Sequence, residues 1–403
     1  MPPQSGGMEI NMIKFTMNAK ELKIMMDKVM TAVNKKVSVP SLKRLYFSID
    51  DKGILKILST DIDHYVEVRT KNVYHTEPGM LGIDIEDIKI ISKMSGEITV
   101  EDITSDKEEK INIKCGKKNV SIPRFENTDV FLPVLNNVED ILDVKENWLS
   151  ETISNLSVFV SNREEVNRMM SVFNFNTKEK RVEALWNCMI GMRQLEDDMI
   201  LKETGNPFET VKLHCRCVPV FKKLLDKKSE RKVIISQNDK YVKVESENFT
   251  YITKRIDGEY FKVNQMLSDE WDYKFTANAK ELLEAMKYDA DLLKESKLPV
   301  TFHAENGNLY SYASTTRYEA FDEIEVKEKP EKDFYIGFNP SFLVDIMSIV
   351  DSEYPVFYGT KEVCPWIIKG DTYSFLILPV NIKDVKVKAE KRIAKYIEMS
   401  KTA

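Results

Sequence analysis

A nine-residue phrase occurs twice in this chain of 403 residues, as KFTMNAKEL from Lys14 to Leu22 and as KFTANAKEL from Lys274 to Leu282, with eight positions identical and a separation of 260 residues. That separation is too long for a solenoid repeat and fits duplication of a whole unit. A second echo follows at nearly the same offset. LGIDIEDIKIIS (Leu81 to Ser92) and IGFNPSFLVDIM (Ile336 to Met347) both read as a strand end, a turn and an amphipathic helix. Each unit therefore carries two helices.

Between the copies lies room for one more unit of about 130 residues, an ordinary domain size. Its first helix is expected from Glu146 to Ser161, where Leu149, Ile153, Leu156 and Val160 recur at helical spacing. Its second is expected to start near Val218, with Phe221, Leu224 and Leu225 on one side. Around these helices, short runs such as ILKILS, YVEVRT, EITVED, KINIKC, KVIISQ, YVKVES and FTYITK alternate with a period of two and are rich in β-branched and aromatic residues, which reads as strands. The fold class is α+β: three tandem units over 12–138, 139–268 and 269–382, each with two helices packed on antiparallel sheets, then a basic tail over 383–403. The opening MPPQSGG reads as a flexible leader, with structure beginning near Met12.

Hydrophobic residues make up 42% and charged residues 31%, enough apolar material for three modest cores. No run approaches the length of a membrane span or a signal peptide, so a cytoplasmic protein is expected. The five cysteines lack zinc spacing, and Cys215 and Cys217 fall on one face of a strand, where reduced core thiols suffice. His64, His75, His214 and His303 are scattered, no glycine loop for phosphate is present, and no carboxylate pair repeats across the units. A non-catalytic protein without metal or cofactor is expected.

The net charge is −6, which by itself argues against a nucleic-acid partner, but the placement of charge matters more than the sum. Lys20 and Lys23 lie opposite the apolar Leu22, Met25, Met26 and Val29, with Lys35 and Lys36 at the end of that helix. Lys89 and Lys93 are one turn apart, as are Lys223 and Lys227. Val218 to Lys232 holds six basic residues against Asp226 and Glu230. Acidic residues gather elsewhere, in EDITSDKEE, LEDD and DEIEVKEKPEKD. Helices collected on one side would present a positive face to DNA. The same lysines serve equally well as solvated helix faces. Asn339 to Ser352 has no lysine, which breaks the pattern in the third unit.

Longer stretches carry a resemblance. IKFTMNAKEL, VPSLKRLYFSI, STDIDHYVEV and CGKKNVSIPRF resemble the first domain of the bacterial DNA polymerase III beta sliding clamp family. YITKRIDGEYFKVNQML (Tyr251 to Leu267) is similar to the end of that family's second domain, and SFLILPVNI (Ser374 to Ile382) to its C-terminal strand. The likeness runs from about Ile13 to Ile382. It implies a homodimeric ring of six domains that encircles double-stranded DNA as a processivity factor, and that tethers DNA polymerase, clamp loader and repair proteins through short peptides. Lys36 matches a DNA-contacting arginine of the family and Lys223 a basic pore position. Arg168 lies in SNREEVNRMM, where the family turns residues toward DNA. Arg216, Lys227, Lys89 and Lys93 join them on helical face and charge.

For the peptide pocket, the resemblance implies Met170, Phe261, Gln265 and Met266 from the middle unit. From the third it implies Asn339, Phe342, Val363, Pro365, Leu376, Ile377, Leu378, Pro379, Val380 and Asn381. A conserved family signature falls on ALWNCMIGMRQL and is not kept as written, and Asn381 stands where a basic residue is usual, which implies altered pocket chemistry. For ring closure, Leu292 and Leu293 match a family dimer contact, and Val120 and Ile122 lie on a matching edge strand. The rival to a ring is a repeat-built DNA-binding or scaffold protein using the same unit without closure. Past Ile382, the tail has seven basic residues against three acidic, with Ile393, Tyr396 and Ile397 at helical spacing. Contact with DNA, packing beside the pocket and a free terminus are all open to it.

Overall fold

A computed structural model describes residues 12–33, 38–103, 109–125, 133, 135–162, 167–202, 210–268 and 270–402. The repeated phrase marks one local construction. The strand Lys14–Asn18 runs into helix α1 (Ala19–Val29), and the Asn18 side chain accepts the Lys20 backbone N–H. In the later copy the strand Tyr273–Thr276 leads into α5 (Ala279–Leu293), and Asn278 accepts the backbone N–H groups of Lys280 and Glu281. Asparagine satisfies donors that the first turn leaves orphaned, and Glu21 or Glu281 in that turn complements the helix dipole. The second echo works the same way. Asp84 caps α2 (Ile85–Ile91) and Asn339 caps α6 (Pro340–Met347), with Pro340 at a position where no N–H is needed.

The middle third keeps two helices, α3 (Glu146–Leu156) and α4 (Cys217–Leu224), with different end chemistry. Helix α4 starts at Arg216 without a side-chain cap. The buried Glu146 carboxylate at the head of α3 accepts the Asp226 backbone N–H at 2.7 Å and the Arg231 guanidinium at 2.9 Å.

The chain packs into two compact units, Met1–Ser154 with Asp198–Asn206 and Val211–Ile256, and Asn155–Asp197 with Pro207–Thr210 and Asp257–Ala403. Neighbouring strands in the sheets of both units run antiparallel. In the first unit, one sheet runs in the order Tyr74–Glu77, Lys14–Asn18, Glu97–Asp102, Lys110–Cys115, Lys118–Pro123. A second has eight strands, Glu139–Lys145, Lys232–Gln237, Tyr241–Ser246, Phe249–Lys254, His64–Thr70, Leu55–Thr60, Arg44–Ile49 and Gly79–Asp84. In the second unit, Val172–Asn176, Arg181–Trp186, Met189–Gln194, Tyr373–Ile377, Trp366–Lys369, Val356–Gly359 and Tyr273–Thr276 follow one another in one sheet. The other is Glu319–Ile324, Asn308–Ser314, Val300–Glu305, Phe334–Phe338.

Two pairings join stretches far apart in sequence. Ile252 sits opposite Tyr65, and Leu376 opposite Ile190. Each joins the middle third of the sequence to a neighbouring third, so compactness groups the chain by shared sheets. Gly191, between Ile190 and Met192, makes the second junction possible. A Cβ there would stand 2.5 Å from the Phe159 ring and 2.9 Å from Leu156, both fully buried. Gly191→Ala is expected to lower stability by about 1–3 kcal/mol through overpacking, measured by urea denaturation.

The tail forms α7 (Lys383–Thr402). Ala389, Ile393 and Ile397 are buried against Tyr310 and Tyr312 of the four-stranded sheet, and Tyr396 stacks on Phe321 with ring centroids 4.7 Å apart. The tail does not hang free: it packs on a sheet face of its own unit. No helix among the described residues is long and apolar enough to cross a membrane.

Candidate functional site

In the first unit α1 packs beside α4. Leu22, Met25, Met26 and Val29 of α1, and Val220, Phe221 and Leu224 of α4, face the core. The opposite faces leave Lys20, Lys23, Lys222 and Lys223 exposed, with Lys227 and Lys228 just beyond α4. The two helix ends exchange contacts. Lys28 Nζ donates to the Leu224 carbonyl at 3.4 Å, and Lys223 Nζ reaches the Asp27 carbonyl at 3.5 Å. Last-turn carbonyls lack intrahelical donors and carry the negative end of the dipole, so each lysine meets an acceptor on its neighbour. Burial holds the Lys28 ammonium below the ordinary lysine range, partly offset by Glu146.

The other cationic candidates differ in setting. Arg216 is exposed and lies 3.9 Å from Asp63, whose carboxyl a hydrogen bond from Lys254 holds below its usual range. Lys89 pairs with Glu86 one turn earlier at 2.6 Å, while Lys93 is exposed past the end of α2. Arg168, in the second unit, is exposed at the start of the 3-10 turn Arg168–Ser171, where Asn167 caps the Met169 N–H. Lys36 lies outside the described residues.

The second unit builds an apolar site. Leu185, Ile190, Met192, Val263 and Leu376 form one buried cluster, with Met170, Tyr260, Phe261 and Leu267 partly buried against it. Three adjacent strands supply its floor, and the 3-10 turns Arg168–Ser171 and Val263–Met266 bring Met170 and Val263 to it. The Phe261 ring meets Tyr260 edge to face at 5.2 Å. Met192 also lines a cleft of about 320 Å3 with Arg181, Arg193, Lys369 and Tyr373.

Of the residues proposed for the pocket, Met170, Phe261 and Leu376 are brought together in this cluster. Ile377 is a correction: strand alternation turns it away from Leu376, and it is fully buried opposite Trp366. Asn339 is occupied as the cap of α6, and Phe342 is partly buried on that helix. Gln265, Met266, Leu378, Val380 and Asn381 are exposed, Pro365 and Pro379 partly so, and Val363 is 80% exposed. The backbone of the last run is fixed, since Leu378 N–H donates to the Cys188 carbonyl and Val380 N–H to that of Gly337. Sequence reading missed Leu185, Ile190, Met192, Val263, Tyr260 and Leu267. The first three come from ALWNCMIGMRQL, whose alternation around Gly191 was a usable signal.

Of the interface candidates, Leu293 and Ile122 need correcting: at 2% and 3% exposure they fill their own cores. Leu292 and Val120 are partly exposed, and Val120 lies on the edge strand Lys118–Pro123. Among the described residues no cluster of metal-ligating side chains forms. Burial pushes the Cys215 and Cys217 thiols up, away from the thiolate.

Comparison with known proteins meets this geometry at full length. The beta sliding clamp of Streptococcus pneumoniae serotype 4 is 21% identical over 394 residues, covering 92% of this chain and 99% of the relative. That of Lactococcus lactis subsp. lactis is 20% identical, covering 84% and 90%. The chain is thus similar to beta sliding clamps over most of its length and nearly all of theirs. No family model matches it. Among solved structures, the DNA polymerase sliding clamp of Bacillus subtilis superposes with a TM-score of 0.81 at 18% identity, covering 92% of this chain and 99% of that one. A putative DNA polymerase III beta subunit from Eubacterium rectale gives 0.79 at 24%, with the same coverage. A Pseudomonas aeruginosa clamp solved with griselimycin bound gives 0.81 at 18%, again with that coverage. The fold is therefore clamp-like, with helices backed by antiparallel sheets.

Proposed function

We propose that this chain is a subunit of a DNA sliding clamp, a non-catalytic processivity factor that encircles duplex DNA and tethers a polymerase. The observation that carries this is the α1–α4 pair, two helices from different thirds of the chain that pack side by side with exposed lysines outward in a protein of net charge −6. Such a face attracts phosphates without reading bases, through contacts that exchange easily, so the protein is held by topology and free to slide. Lys36, Lys223, Lys227, Lys93 and Arg168 are the assigned DNA contacts. Lys89 and Arg216 contribute less, each having a carboxylate nearby.

The three-domain division, 12–138, 139–268 and 269–382, rests on the repeated phrase and the capped helices. Six such domains close a ring when two copies meet. The edge strands Lys118–Pro123 and Glu319–Ile324 suit that meeting, since each ends its sheet with a side unpaired among the described residues. Their charges are complementary, Lys118 on one, with Lys117 in the turn before it, and Asp322 and Glu323 on the other. The cluster around Leu376 and Phe261 takes a short peptide presenting bulky apolar side chains, the chemistry by which a polymerase or clamp loader would attach.

The test is topological. Loaded onto a nicked circle, the protein stays bound, and linearising the DNA releases it over the cut ends; retention on linear DNA would favour the open, scaffold-like alternative. Reversing Lys36 and Lys223 together to glutamate is expected to shorten retention on circles several-fold and to flatten its salt dependence by about two phosphates' worth. Unfolding curves for that variant should match the parent.

A further inference from the structure

The relatives account for about nine-tenths of the chain, and the tail helix lies past the stretch that resembles them. We propose that α7 is a brace for the edge strand Glu319–Ile324, fixing it as the surface that a second copy of this chain pairs with. The inference rests on the two-copy reading above.

Among the described residues, strand Glu319–Ile324 is hydrogen-bonded on one side only, to Asn308–Ser314, and all its residues except Ile324 retain some exposure. An edge strand held so lightly frays, and a frayed strand must be ordered before it can pair, which weakens association. Helix α7 fastens it at both ends of its first half. Lys388 Nζ and Arg392 Nε both reach Glu319 Oε1, at 3.2 and 3.3 Å; burial raises that carboxyl, and Lys388, the Tyr312 hydroxyl at 3.1 Å and Arg392 outweigh it and hold it below its usual range. Lys388 also donates to Ser314 Oγ at 3.3 Å, tying the end of the neighbouring strand to the same helix. Two residues on, Phe321 is covered by Tyr396, while Tyr310 and Tyr312 beside it are sealed by Ala389, Ile393 and Ile397. The far face of the same strands is backed by α5, so the brace closes a helix–sheet–helix sandwich. Among the described residues the outer backbone edge stays open, and the strand carries Asp322, half-buried, and Glu323, exposed, toward a basic partner strand.

Full-length variants test this. Lys388→Glu with Arg392→Glu removes both ties to Glu319 while leaving the apolar stripe of α7 in place. Ile393→Asp releases the helix itself. Sedimentation equilibrium should show dimer association weakened by about tenfold or more in each. Hydrogen exchange should quicken in Glu319–Ile324 and stay unchanged in Lys110–Cys115. Adding Glu319→Lys to the double charge variant should restore pairing of α7 with the strand and recover dimerisation, a rescue that general destabilisation would not give. A dimeric parent whose double variant dimerises within about twofold of it, with unchanged exchange in Glu319–Ile324, overturns the brace alone. A parent that sediments as a monomer overturns the two-copy reading and the brace with it.

Discussion

Replacing Asp289 by asparagine is expected to stabilise the protein at alkaline pH and to leave it nearly unchanged in acid. Asp289 occupies the apolar stripe of α5, in line with Leu282, Met286 and Leu293, and is 1% exposed. Neither carboxyl oxygen has a hydrogen-bond partner among the described residues. Burial, with Asp322 adding to it, pushes its pKa up to about 7 from an ordinary 3.8. The folded state therefore holds this proton more tightly than the unfolded chain. Stability from this group is fully present below about pH 4 and is lost as pH rises to about 7, a span that corresponds to roughly 4 kcal/mol. Asparagine imitates the protonated carboxyl in shape and cannot ionise. Urea denaturation of parent and variant at about pH 8 and about pH 4 should show a gain of a few kcal/mol at the higher pH only. An equal effect at both would mean that the carboxylate has found a counter-charge.

The second large effect is expected at Phe261. It is half-buried at the margin of the cluster that contains Leu376, so truncation removes contact surface without opening the core. Phe261→Ala should weaken capture of a labelled peptide carrying adjacent bulky aliphatic and aromatic side chains by about 30-fold, roughly 2 kcal/mol, in fluorescence anisotropy. Leu376→Ala would be a poorer probe, since Leu376 is 3% exposed and its loss lowers stability as well. Val363→Ala, at an 80% exposed position, should bind within about twofold of the parent. Equal binding by Phe261→Ala and the parent would remove this cluster from consideration as the peptide site.

Local signals carried over well into the structure. Asn18 and Asn278 begin helices because a short acceptor side chain satisfies the first turn wherever it stands in the chain. Lys89 illustrates the opposite omission: Glu86, three residues earlier, was visible as a partner and lowers the weight of that lysine as a phosphate contact. The Leu376–Ile377 pair shows where local reasoning ends. Alternation dictates that the two side chains point apart, but which one joins the cluster of Ile190 and Met192 depends on the strand beside them, Met189–Gln194, nearly two hundred residues away.

What the sequence determined by itself was the duplication, the positions and caps of four helices, and the alternation of the strands, all set by interactions within a few residues. Tertiary structure decided which strands share a sheet, that Leu293 and Ile122 fill cores, that Asp289 is buried, and that the charged tail lies on Tyr310, Tyr312 and Phe321. Burial is a property of two surfaces brought together, and an amphipathic segment specifies only one of them.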